Sequence, residues 1–232
     1  MFITICLFFS SDGFNRDFFN LLGVSAHNNS KLLSEIVNEF DVPNVVLSNS
    51  NNIKDYFGKF ELNTGPLALI DLAKIQCDIV ITGIIGLTGL HSAFAAISHG
   101  NNLAIANKET LVAAGKFFMD KAVEKKVTIL PVDSEHSAIF QCLSNDNIHN
   151  LDHITLTASG GPFLKTSIKD MENIKPKDAI KHPKWNMGKK ISVDSATLMN
   201  KVLEMTEALK LFPFNLKQFE ILIRISYKGM SL

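Results

Sequence analysis

Between residues 21 and 131 the hydrophobic positions fall in blocks of two lengths. Short apolar runs at 20–25, 44–47, 78–82, 103–106 and 127–132 read as strands. Between them, 30–40, 66–76, 91–99 and 108–124 repeat their apolar residues at helical spacing, and Ser30 reads as the cap that opens the first. Asp78-Ile79-Val80-Ile81-Thr82 is continuous rather than alternating, the pattern of a strand buried on both faces. Strand and helix taking turns predict right-handed βαβ units and a doubly wound α/β fold with a parallel sheet. The opening run from Met1 to Phe9 is apolar, too short to cross a bilayer, and without the charged start of a signal peptide; a buried strand or a scrambled terminus is expected there.

Past Asp133 the pattern changes. A β-rich run at 154–157 ends in Ser159-Gly160-Gly161-Pro162, a polar loop surrounds Trp185, and a long helix is expected over 196–211. A boundary near Val132 follows, with residues 1–132 as one domain and 133–232 as an α+β unit, short for a domain of its own.

Composition narrows the function classes. Lys+Arg and Asp+Glu both number 23, so no net field draws the chain to nucleic acid or an acidic membrane. Cys6, Cys77 and Cys142 are far apart and form no CxxC. That argues against a zinc site or a disulfide framework and for a reducing, cytoplasmic setting.

Several segments carry candidate chemistry. In Pro131-Val132-Asp133-Ser134-Glu135-His136 two carboxylates stand at i and i+2, which point the same way if the segment is extended. Like charges so placed repel unless a cation lies between them, and Mg²⁺ or Mn²⁺ takes oxygen ligands. The same letters also suit a strand-to-helix junction capped by Asp133 or Ser134. Asn200, Lys201 and Glu204 are spaced to share one helical face. Glu204 offers a third carboxylate, Asn200 and Lys201 offer donors to a phosphate, and Ser195 near the expected helix start adds a hydroxyl. A solvated face with a Lys–Glu pair reads equally from that spacing. Thr157-Ala158-Ser159-Gly160-Gly161-Pro162 suits an anion nest or a plain turn. Ala106-Asn107-Lys108-Glu109 ends a predicted parallel strand, where ligands bind in open α/β sheets, and is also a helix start with Asn107 as cap. The loop from His182 to Gly188 holds the only Trp and reads as a lid. His27, His91, His99, His149 and His153 show no metal-ligand spacing and read as structural or solvated.

Taken in order, Gly86-Leu-Thr-Gly-Leu90, Ala106-Asn-Lys-Glu109, Leu130-Pro-Val-Asp-Ser-Glu-His136, Ser159-Gly-Gly-Pro-Phe163, His182-Pro-Lys-Trp-Asn-Met-Gly188 and Ile191-Ser-Val-Asp-Ser-Ala-Thr197, running into Asn200, Lys201 and Glu204, resemble the signature of the 1-deoxy-D-xylulose 5-phosphate reductoisomerases. The resemblance extends over residues 21–222. It implies a Rossmann-like NADPH-binding domain over 1–132 and a central catalytic domain over 133–232, incomplete, with the family's C-terminal helical domain absent. It also implies an oxidoreductase and isomerase of non-mevalonate isoprenoid synthesis that makes 2-C-methyl-D-erythritol 4-phosphate, dependent on NADPH and on Mn²⁺ or Mg²⁺. By the same resemblance Asp133, Glu135 and Glu204 hold the metal. Ser159, Ser195, Asn200, Lys201 and His182 hold the phosphate, and Lys108 and Ser134 contact the sugar. Trp185 and Met187 close over the substrate. Ala26, His27, Asn28, Asn107, Glu109 and Gly188 approach the cofactor. Lys108, Glu135, His182 and Trp185 are the catalytic candidates. The family suggests a homodimer acting on a small sugar phosphate, with no nucleic-acid or membrane partner.

Two departures from the family stand out. Its opening Gly-Ser-Thr-Gly-Ser-Ile-Gly phosphate loop has no counterpart here, and its Gly-Lys/Arg-Asn cofactor segment is matched only loosely by Ala26-His27-Asn28. After Ile223 the family continues with His-Pro-Gln-Ser, whereas this chain reads Arg224-Ile-Ser-Tyr. The expectation is a poorly active piece of such an enzyme, or a non-catalytic remnant that binds sugar phosphate and divalent metal.

Overall fold

The computed structural model describes residues 4–9, 19–143, 151–158, 160–180 and 188–223. Two units partition the chain, Met1–Phe140 and Gln141–Leu232. The division falls inside the helix Ser134–Cys142, past the Val132 boundary that the sequence pattern suggests.

Among the described residues seven strands build the sheet of the first unit: β1 (Thr4–Phe9), β2 (Phe19–Ala26), β3 (Asn44–Leu47), β4 (Leu62–Thr64), β5 (Ile79–Thr82), β6 (Asn102–Ile105) and β7 (Ile129–Pro131). Their order is β4-β3-β2-β1-β5-β6-β7. Helices α1 (Ser30–Phe40), α2 (Pro66–Ala73), α3 (Leu90–Ser98), α4 (Lys108–Lys125) and α5 (Ser134–Cys142) connect or follow them. Strands and helices alternate as the sequence predicts, and every pairing is parallel except the two made by β1. The exception has a simple cause. Only residues 10–18 separate β1 from β2, and a parallel neighbour needs a crossover of about a dozen residues or more. β1 therefore runs backwards through the centre of the sheet, with Thr4 opposite Thr82.

Val24, Leu33, Val37, Val45 and Leu47 are buried together between β2, β3 and α1, while Leu103, Ile105, Leu111 and Phe118 are buried along β6 and α4. Each such side chain contributes about 1.5–3 kcal/mol through burial. The α1 cap is Asn29 rather than Ser30: its side chain accepts from Leu32 N at 3.0 Å, and Ser30 is buried in the first turn. β4 escaped the sequence reading because three residues cannot display a period of two; its pairing with β3 defines it.

In the second unit β8 (Ile154–Ala158) and β9 (Phe219–Ile223) pair in parallel. Between them come α6 (Ile168–Met171), α7 (Pro176–Ala179), α8 (Lys189–Ala196) and α9 (Met199–Leu211). The long helix expected over 196–211 is α9, which starts at Met199, and the separate helix α8 before it was not foreseen. Leu198 takes the left-handed conformation (φ 60°), which ends one run of hydrogen bonds and starts the next. Among the described residues no helix is long and apolar enough to cross a membrane.

Candidate functional site

At the carboxyl ends of β6 and β7 two loops lie side by side because Ile105 pairs with Pro131. Lys108 opens α4, and Asp133 comes just before α5. Their charged groups meet at 2.7 Å, with side chains only 11% and 16% exposed. Withdrawn from solvent, each charge depends on the other. Glu135 lies in the first turn of α5, where Ser134 Oγ donates to its Oε2 at 2.6 Å. Carboxylate oxygens of Asp133 and Glu135 come within 4.8 Å of each other. The segment is not extended, as i, i+2 alternation supposes. Ser137 N donates to Asp133 O at 2.8 Å, so the two carboxylates share a helix start, where the dipole favours negative charge. Two oxygen donors so close suit a hard divalent ion. His136, quoted in the motif but given no role from sequence, is fully buried with Nδ1 3.9 Å from Asp133 Oδ2. Its place three residues after Asp133 on a helix was the available signal.

Asn107 is a structural cap. It accepts from Thr110 N at 2.9 Å and donates to the carbonyls of Ile84 and of Gly86, the latter at 2.7 Å. Its amide thereby ties the turn after β5 to the start of α4, and a Cβ on Gly89 would come within 2.9 Å of its Nδ2. What Asn107 brings to a ligand is position. Glu109, half-buried, follows in the same helical turn.

A cavity of about 500 Å³ opens at the carboxyl ends of β2, β3 and β5, lined among others by Ala26, His27, Ser48, Ile84, Thr88 and His91. This edge, on both sides of the central strand, is where doubly wound sheets bind ligands. His27 Nδ1 lies 2.8 Å from Ser48 Oγ, and Asn28 Oδ1 accepts from Asn49 at 2.7 Å and Asn52 at 3.1 Å. Ser48, Thr88 and His91 were not foreseen, since only the sheet brings them beside Ala26.

In the second unit the turn after β8 has positive φ at Gly160 (84°) and Gly161 (67°). A Cβ on Gly161 would meet the Ser195 carbonyl at 2.7 Å, so glycine alone lets this turn lie against the end of α8. Ser195 stands in the last turn of α8 and not near a helix start, because the break at Leu198 comes after it. Lys201 and Glu204 pair at 2.6 Å, and Asn200 also donates to Glu204. The shared face predicted for these three is present. Lys201 and Glu204 are buried, however, at 6% and 1% exposure, so a solvated face does not describe them. Gly188 precedes α8, and its carbonyl accepts from Ser192. Ser159, His182, Trp185 and Met187 lie outside the described residues, and the lid expected around Trp185 lies there too.

Residues 13–115 match the family described as 1-deoxy-D-xylulose 5-phosphate reductoisomerase, and 129–212 match its C-terminal domain family. The chain is 44% identical over 218 residues to the 1-deoxy-D-xylulose 5-phosphate reductoisomerase of Clostridium perfringens strain 13, covering 90% of this chain and 57% of that protein. It is 45% identical over 213 residues to the Clostridium acetobutylicum enzyme of that name, covering 88% and 55%. Among solved structures, that of the Zymomonas mobilis reductoisomerase in complex with NADPH superposes with a TM-score of 0.81 at 40% identity, covering 89% of this chain and 55% of that one. A DOX-P reductoisomerase in complex with NADPH, fosmidomycin and magnesium gives 0.77 at 37% identity, covering 87% and 54%. The chain thus spans a little over half the length of the relatives it matches.

Proposed function

This chain belongs to the 1-deoxy-D-xylulose 5-phosphate reductoisomerase family, and from that premise we propose that it carries the nucleotide, metal and sugar-phosphate residues of such an enzyme. The reaction is a metal-assisted rearrangement of 1-deoxy-D-xylulose 5-phosphate followed by reduction to 2-C-methyl-D-erythritol 4-phosphate, in the non-mevalonate isoprenoid route. One observation carries the reading: the Asp133 and Glu135 carboxylates within 4.8 Å, with Lys108 against Asp133, on the ligand-binding edge of the sheet. Asp133, Glu135 and Glu204 are the oxygen donors for Mn²⁺ or Mg²⁺, an ion that supplies charge to polarise carbonyl and hydroxyl oxygens. Lys108 and Ser134 orient the sugar. Ser159, Ser195, Asn200, Lys201 and His182 hold the phosphate, and Trp185 with Met187 covers the substrate. NADPH supplies hydride when bound, and Ala26, His27, Asn28, Asn107, Glu109 and Gly188 are its contacts. The domains over 1–132 and 133–232 divide these tasks. A cytoplasmic homodimer acting on a small molecule goes with the same reading.

A second reading is favoured by the direction of β1. A pyrophosphate is ordinarily held where a central parallel strand turns into a helix N-terminus, and β1 presents its amino end there instead. On that reading the chain keeps sugar-phosphate and metal binding without turnover. The discriminating assay follows NADPH absorbance with the purified chain, 1-deoxy-D-xylulose 5-phosphate and Mn²⁺, beside calorimetric titration of Mn²⁺ into the chain and into Glu135→Gln. Oxidation abolished in Glu135→Gln supports the enzyme. Mn²⁺ binding lost in Glu135→Gln, without oxidation in either protein, supports the binding protein. Absence of both removes the site.

A further inference from the structure

We infer that Gly89 is a positioning residue for the site: by leaving room for the Asn107 amide it sets where α4 begins, and so holds Lys108 against Asp133. The inference deepens the proposed metal and sugar-phosphate site and rests on that reading. Gly89 ends the short turn Gly86–Gly89 that leads from β5 into α3, and it is buried. Its φ of −74° and ψ of −13° are values that any residue adopts. Backbone freedom therefore does not explain a glycine here. Space does. A Cβ at this position would stand 2.9 Å from Asn107 Nδ2, 3.0 Å from Ile84 Cβ and 3.2 Å from the Ile84 carbonyl oxygen.

The Asn107 amide is the far end of a side chain, yet it is not free to step aside. Its Oδ1 accepts from Thr110 N at 2.9 Å, and its Nδ2 donates to the carbonyls of Ile84 and of Gly86, the latter at 2.7 Å. Asn107 is buried, so an amide pushed off these partners finds no water in exchange. Gly89 is pinned from its other side, where the buried Ser92 donates from Oγ to its carbonyl at 3.1 Å. Restoring an ordinary contact distance would thus fall on Asn107, a displacement of up to about 1 Å. Asn107 is the cap of α4 and Lys108 its first residue, so the shift passes directly to Lys108. Asp133 is held separately: Val132 N donates to Ile105 O at 3.0 Å and Ser137 N to Asp133 O at 2.8 Å. The pair closed at 2.7 Å is therefore opened from the Lys108 side alone.

The test is a double-mutant cycle between Lys108→Met and Asp133→Asn, measured by urea unfolding in the parent, in Gly89→Ala and in Asn107→Ser. In the parent the two changes together should lower the folding equilibrium constant by about tenfold less than the product of their separate effects. In Gly89→Ala that coupling should fall to about twofold or less. Asn107→Ser keeps a capping oxygen but has no amide for the two carbonyls, so the coupling should fall there as well. This second variant decides the matter if Gly89→Ala does not fold. Lower stability in either variant with the parent's coupling intact is what a merely structural role gives, and it overturns the inference while the site reading stands. Coupling lost in Gly89→Ala but kept in Asn107→Ser overturns it too, as does a parent without coupling. The cycle uses no ligand, so the site reading is judged apart: a parent that binds no Mn²⁺ in calorimetry overturns that reading and the role of Gly89 in it.

Discussion

Lys108 and Asp133 illustrate how single residues acquire their weight. The pair is mostly shielded, so removing one charge strands the other. Asp133→Asn is expected to cost on the order of 3 kcal/mol in urea unfolding, and Asp133→Asn with Lys108→Met much less than the sum of the singles. Gly161→Ala sets a methyl against the Ser195 carbonyl in a left-handed turn, and a loss of about 1–3 kcal/mol with weakened phosphate binding should follow in thermal and calorimetric measurements. His153 is held above the usual histidine range, first by its hydrogen bond to Asp152 and then by the charge of Glu220. A raised folded value means the charged form favours the fold at low pH, and this contribution fades as pH rises through the folded value. Asp152→Asn should lower the midpoint of the His153 titration followed by NMR. Among site residues, Asn107, Lys108, Glu135, Lys201 and Glu204 could be singled out from spacing alone. Whether Asn107 caps a helix or faces a ligand, and whether Lys201 and Glu204 are buried, depended on neighbours that spacing does not name.

At the scale of elements, strands and helices with strong periodicity lie where the pattern places them, and the misses have local causes. α9 separates from α8 because Leu198 turns left-handed, a choice no propensity for Leu foretells. Asn29 displaces Ser30 as cap because its carbonyl reaches the amide of Leu32. The end of α4 holds a comparable strain that can be relieved. Lys126 caps it at φ 57° and is exposed, and its backbone N–H donates to the carbonyls of Ala122 and Val123. Lys126→Gly should therefore stabilise the chain by about 1 kcal/mol, read as a rise in melting temperature.

For the whole molecule the decisive feature is the reversed central strand. Metal and phosphate candidates depend on β6, β7, α4, α5 and the α8–α9 break, none of which involves β1. The expected outcome is Mn²⁺ and phosphate binding in calorimetry with little NADPH oxidation; turnover matching a full-length family member would refute this. The blocks of apolar residues by themselves determined an α/β sheet, because a strand buried on both faces and an amphipathic helix each leave a period that the side chains must keep. Spacing also named which residues share a helical face, as Asn200, Lys201 and Glu204 do. Tertiary structure alone decided that β1 runs antiparallel, that Asp133 meets Lys108, and that Ser48 and His91 border one cavity with His27. Those outcomes arise from chain closure and from contacts between residues far apart in sequence, and neither leaves a period to read.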